Sequence, residues 1–245
     1  MRARGPAGEV AVKTYQFRGK TGRAAAEQEA TMETELEALR RVQKPREHGS
    51  IANMLHVLPG RGATHVVLQY CAGGTLKRLL DKGTIAEPAA APLLAQLVGA
   101  VAHIHAAGVA HRDVKPSNIR FADGTLATIK LCDFGFAVPA DQRLTKTAGT
   151  PLYMAPEAVR SIAHRGPPVD VWAAACVGYE MLHGRPAFGG CETLDSLHAK
   201  IRRGQFNPFK CGSGALRGAI SAGLTADPAA RPTASVLLEK LVSAD

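Results

Sequence analysis

Cysteine is sparse and scattered: Cys71, Cys132, Cys176, Cys191 and Cys211 form no CxxC pair and no even ladder. That spacing argues against a zinc site or a disulfide framework. It predicts free thiols in a reducing compartment, cytoplasmic with a nuclear location also open. Aromatic residues are scarce as well, 5% of the chain, and no basic run interleaves with them. The formal net charge of +9 favours acidic partners in general, yet without such a run it reads as a solvated basic surface. A nucleic-acid-binding module rests on charge alone. No cleavable apolar core precedes Val10, so Arg2 and Arg4 do not read as a targeting peptide. The least charged stretch, 85–110, is long enough to span a membrane. Its Glu87, Pro88, Pro92, Gln96 and two histidines make it read as a core helix, with no membrane partner.

Apolar residues make up 46% of the 245, enough to bury a core as one domain or as two lobes. Residues 8–18 (GEVAVKTYQFR) read as a turn and strand, with Lys13 among β-branched and aromatic neighbours. Leu36, Leu39 and Val42 fall at helical spacing in 27–42, whose Glu29, Glu33, Glu35 and Glu37 suggest an exposed acidic face. A short apolar strand, His65–Tyr70, leads to a loop at Gly73-Gly74. From Ala89 to His105 the apolar residues again follow a helical period. His103 and His105 lie on opposite faces of that helix, so with His111 they make no metal site and read as packed or solvated. Later, Asp170-Val171-Trp172 followed by AAACVGYEML predicts a buried helix begun by an acidic cap.

Three motifs are concentrated in 111–157: HRDVKPSN, IKLCDFG and GTPLYMAPE. Asp113, Lys115 and Asn118 place an acid, a cation and an amide in one short loop, and Asp133 stands where a strand breaks. Those groups suit phosphoryl transfer. A base orients a hydroxyl, a cation meets the phosphate, and an amide oxygen holds Mg²⁺.

The ordered set HRD…N, DFG and APE resembles the eukaryotic protein kinase family, over nearly the whole chain. The resemblance implies an α+β bilobal protein-kinase-like fold. A small N-lobe sheet and helix would occupy 1–70, and a larger, mainly helical C-lobe 71–245. It implies ATP and Mg²⁺ as cofactors and transfer of the γ-phosphate to protein serine or threonine. Asp113 would orient the substrate hydroxyl and Lys115 would meet the γ-phosphate. Asn118 and Asp133 would be the metal ligands. Lys13, in the VAVK run, would hold the α- and β-phosphates, clamped by Glu35, with Glu33 as second choice. Ala11, Leu68 as gatekeeper, Gln69, Cys71 and Arg120 would surround the adenine. Asp170 would anchor the catalytic loop from below, and Arg231 would pair with Glu157. Thr145 or Thr147 would be phosphorylated by an upstream kinase and pair with Arg112. Lys115-Pro116-Ser117, where tyrosine kinases carry AAR or RAA, together with Thr150 before Pro151, is similar to serine/threonine kinases. Phe136 leans the acceptor toward serine, and LYMAPE lacks the arginine of proline-directed kinases. Thr75 stands where arginine-directed kinases often carry glutamate. The 165–188 run resembles most the calmodulin-dependent and AMP-activated branch.

Two departures bear on activity. No GxGxxG precedes Val10, and the nine residues before it are too few for two strands and a phosphate loop, so the N-lobe sheet is expected to be incomplete and the chain N-terminally truncated. Arg120 occupies a position that is usually aliphatic beneath the adenine; its methylene stem can serve there with the guanidinium turned out. These departures leave a pseudokinase, acting as a binding or scaffold protein, as the alternative.

Overall fold

The computed structural model describes residues 1–5, 8–17, 19, 22–44, 46–145 and 149–243. The first part of the chain forms an antiparallel sheet with one helix across it. Strand β1 (Arg2–Gly5) pairs with β2 (Gly8–Gln16), helix α1 (Gly22–Val42) crosses, and β3 (Met54–Gly60) and β4 (Ala63–Gln69) close the sheet in the order β1-β2-β4-β3. The register puts Lys13 opposite Val66 and Ala11 opposite Leu68. Between β3 and β4 only Arg61 and Gly62 turn the chain. Gly62 has φ +86°, a conformation that costs a residue without Cβ little. Tyr15, Met32, Leu36 and Val66 form the small core between sheet and α1.

Two of these strands were not anticipated. β1 is four residues of arginine, alanine and glycine, with no β-branched or large apolar residue to reveal it; its backbone pairs with β2. β3 leaves Leu55 and Leu58 exposed, so its apolar pattern does not mark a buried face. Helix α1 also begins five residues before the predicted Glu27. Its first turns lie on the surface and lack the apolar period that marks Leu36 to Val42.

The rest of the chain is mainly helical. Helix α2 (Leu76–Leu80), capped by Thr75, precedes α3 (Glu87–Ala106) and the short strand β5 (Val109–Ala110). The hairpin β6 (Ile119–Phe121) and β7 (Ile129–Leu131) follows, and β8 (Val138–Pro139) pairs back on β5. Helices α4 (Pro156–Val159), α5 (Gly166–His183), α6 (Leu194–Arg202), α7 (Gly214–Gly223) and α8 (Ala234–Val242) complete the order. Apart from Asp170 and Glu180, helix α5 is mostly apolar, and it is buried on nearly every side, which suits the centre of a helical body. At Gly178 a Cβ would come within 2.7 Å of the Leu94 side chain, so glycine is what lets α3 approach α5 this closely. By length and composition alone α3 could cross a membrane. Here its Leu93, Leu97, Val101 and Ile104 face is buried in the core.

Asp170 does not cap α5. The helix starts four residues earlier at Gly166, with Pro167 and Pro168 in its first positions, where the missing proline N–H costs nothing. The carboxylate is therefore free for another task.

Candidate active site

The site lies between the sheet and the helical body. Side chains alternate along β2, so Ala11, Lys13 and Tyr15 share one face. Ala11 and Lys13 line a cleft of about 350 Å³. Lys13 Nζ donates to Glu35 Oε1 at 2.9 Å and Oε2 at 2.6 Å, and to Asp133 Oδ1 at 2.9 Å. Burial opposes the charge on Lys13, but Glu35 and then Asp133 outweigh it and hold its pKa above the ordinary lysine value. Of the four glutamates on α1, Glu35 is the one turned inward, only 2% exposed, whereas Glu33 faces solvent.

The loop after β5 carries the second set. His111 and Arg112 donate their backbone N–H groups to Asp170 Oδ2 and Oδ1 at 2.8 and 2.7 Å. Arg112 is held at φ +66°, a costly conformation for a side chain that must be stabilised by its surroundings. His105 Nε2 lies 2.9 Å from the same Asp170 carboxylate, so this histidine belongs to the anchor. His103 instead meets the Val42 carbonyl at 2.7 Å.

Asp113 sits in a closed circuit. Lys115 Nζ reaches its Oδ2 at 2.7 Å and the Thr150 hydroxyl at 2.8 Å. Thr150 in turn donates to Asp113 Oδ1 at 3.1 Å. Asn118 Nδ2 donates to the Asp113 carbonyl and to Oδ2, both at 2.9 Å. Its nitrogen is thus committed, and its Oδ1 is the acceptor left for a cation.

Asp133 adopts φ +63°, which turns its carboxylate toward Lys13 while Phe134 is buried edge-on against His111, ring centres 4.9 Å apart. Burial works to raise the Asp133 pKa, but the Lys13 ammonium outweighs it and keeps the group below the usual carboxylate range. One ionised carboxylate and one amide oxygen fit Mg²⁺, which takes hard oxygen donors, binds few protein groups and completes its shell with phosphate and water. Among the described residues no group of three His, Cys, Asp or Glu is placed to hold a metal.

Leu68, Gln69, Cys71 and Arg120 also line the cleft. The mix of apolar wall and one ammonium–carboxylate pair fits a nucleotide, base on the apolar side and phosphates at Lys13. The neighbouring Cys132 thiol lowers the Cys71 pKa; burial opposes this, while Lys130 and Arg120 assist. Arg120, on β6, is exposed.

Beneath the site, Arg231 makes a two-point pair with Glu157 at 2.8 and 3.0 Å, both side chains buried. Its other donors go to the carbonyls of Pro168 and Thr225. Residues 3–242 match the family described as protein kinase domain. The chain belongs to the protein kinase family. Calcium-dependent protein kinase 28 of Oryza sativa subsp. japonica is 35% identical over 201 residues, 78% of this chain and 38% of its own length. CBL-interacting protein kinase 22 of the same organism is 35% identical over 220 residues, 85% of this chain and 48% of its own length. Calcium/calmodulin-dependent protein kinase type 1 of Macrobrachium nipponense is 32% identical over 204 residues, 82% and 56% of the two chains. This kinase chain thus spans between 38% and 56% of the length of these curated relatives.

Within this kinase fold, Lys13, Glu35 and Asp133 meet in the cleft, and Asp113, Lys115 and Asn118 bond one another in the loop after β5. Two contacts were not foreseen from sequence. Thr150 was read as a mark of acceptor class, yet its hydroxyl bonds both Asp113 and Lys115. Tyr15 was read only as a strand residue, yet its hydroxyl bonds Glu35. Thr145 is exposed; Thr147 lies outside the described residues.

Proposed function

We propose that this kinase chain transfers the γ-phosphate of ATP to serine or threonine hydroxyls of proteins. The observation that carries this reading is the Asp113–Lys115–Thr150 circuit, beside Asn118 and the Lys13–Glu35–Asp133 relay. Asp113, held by Asn118, Lys115 and Thr150, orients the acceptor hydroxyl and takes up its proton. Lys115 is placed to offset charge on the transferred phosphoryl group, and Lys13 to align the other phosphates. Asn118 and Asp133 would hold Mg²⁺, which when bound neutralises charge on the phosphates. With so little covalent work to do, fixed positions and charge supply most of the acceleration.

The proposal extends to a nucleotide-binding small lobe over 1–70 and a peptide-binding larger lobe over 71–245. It includes an upstream kinase acting on Thr145 or Thr147, and a cytoplasmic or nuclear setting in which the free cysteines stay reduced. Neither a nucleic acid nor a membrane is required. Incubation with labelled ATP, Mg²⁺ and a serine peptide tests the central claim. Transfer abolished by Asp113→Asn is the expected result; no transfer by the wild-type chain overturns it.

A second reading, a scaffold that does not phosphorylate, rests on Arg120, which is among the residues lining the cleft. Failure of ATP and Mg²⁺ to raise the melting temperature would favour it.

A further inference from the structure

The Lys13–Glu35 pair has a third member. Tyr15 follows Lys13 by two residues on the same face of β2, and its ring is buried with Met32, Leu36 and Val66 beneath α1. From that position its hydroxyl donates to Glu35 Oε2, the same oxygen that accepts from Lys13. Glu35 is 2% exposed, so water cannot replace a lost donor and each bond it accepts matters. Burial, followed by the Glu35 carboxylate, raises the Tyr15 pKa and keeps the phenol protonated as a donor. The Lys13 ammonium meanwhile divides its hydrogen bonds between Glu35 and Asp133.

We propose that Tyr15 is a positioning residue for nucleotide binding, holding Glu35 inward so that α1 keeps its clamp on Lys13 when Lys13 turns to phosphate. The arrangement explains why a polar aromatic, rather than an aliphatic residue, fills an otherwise apolar pocket. Its ring packs α1 to the sheet, and its hydroxyl fixes the rotamer of the one carboxylate buried there. The inference rests on the kinase reading for its nucleotide, but the three-residue contact itself does not.

Tyr15→Phe keeps the ring and removes only the hydroxyl. Two measurements on the full chain separate the possibilities. The first is the crystal structure of the variant without nucleotide, read for the contact between Glu35 and Lys13 Nζ, which is expected to open. The second is calorimetric binding of ATP with Mg²⁺ beside binding of adenosine. ATP weakens about tenfold, the lower range for a hydrogen bond to a charged group, while adenosine, which has no phosphate, is unchanged. A Glu35 carboxylate still bonded to Lys13 in Tyr15→Phe overturns the proposal, and so does an equal loss of ATP and adenosine, which marks a packing defect. If the wild-type chain binds no ATP, the kinase reading fails, and with it the role of Tyr15 in nucleotide binding. The Glu35–Lys13 contact still decides whether Tyr15 holds the pair. Should Tyr15→Phe misfold by circular dichroism, Tyr15→His, whose ring can still donate, is expected to keep the pair closed, and a Glu35 turned away from Lys13 there counts against the proposal.

Discussion

Asp170 holds the loop above it by accepting the backbone N–H groups of His111 and Arg112, one on each oxygen, at 2.8 and 2.7 Å. The residue is fully buried within α5, the rigid centre of the helical body. Asp113 lies one residue beyond that anchorage, so the position of the proposed base is set by a helix far from it in sequence.

Asp170→Asn removes the charge and one of the two acceptors. One buried N–H loses its partner, at a cost of about 1–3 kcal/mol. A lower melting temperature is expected, with a larger fall in kcat than in peptide affinity. Thermal melts and peptide phosphorylation kinetics check both.

Thr150→Val deletes the hydroxyl that bonds both Lys115 and Asp113 while keeping the shape of the side chain. Phosphorylation of a serine peptide is expected to fall about 10–100-fold, the loss of one or two charge-assisted bonds at the site. The melting temperature should change little, because Thr150 is half-buried in a surface loop. Thr150→Ser should restore most of the rate.

Arg231→Ala leaves Glu157 buried and unpaired, and destabilisation of about 3–5 kcal/mol is expected from urea denaturation. Arg231→Met combined with Glu157→Leu should recover much of that loss, since both charges then leave the core together. A double variant as unstable as Arg231→Ala would place the stabilisation in the Arg231 bonds to Pro168 and Thr225 instead.

Glu180 is a buried carboxyl on α5 that accepts the Tyr153 hydroxyl at 2.6 Å. Burial raises its pKa, and the Tyr153 bond only partly counters this. A raised carboxyl favours the folded state most below the unfolded pKa of about 4.5 and loses that contribution as pH rises through the folded value. Glu180→Gln is therefore expected to raise the melting temperature at pH 7 and to lose that advantage near pH 4. Equal effects at both pH values would mean that ionisation plays no part.

The elements legible in sequence were those with a strong local pattern. Helix α3 has its apolar period, β2 its Val10-Ala11-Val12 run, and 111–157 its contiguous motifs. β1 and β3 were not legible. The pairing of β1 with β2 comes from the sheet rather than from its own residues, and β3 exposes part of its apolar face. Asp170 looked like a helix start because an acid before an apolar run has that signature; Pro167 and Pro168 start the helix first.

By itself the sequence determined which reactive groups stand close together along the chain. Asp113, Lys115, Asn118 and Asp133 lie within 21 residues, so their types and order could be read directly. Tertiary structure decided which distant groups meet them. Glu35 rather than Glu33 reaches Lys13 because the phase of α1 against the sheet turns that position inward. Tyr15 joins the pair because the β2 face runs under α1. Thr150 closes on Asp113 from 37 residues away. Such contacts depend on helix phase, strand register and loop path together, and no local pattern encodes all three.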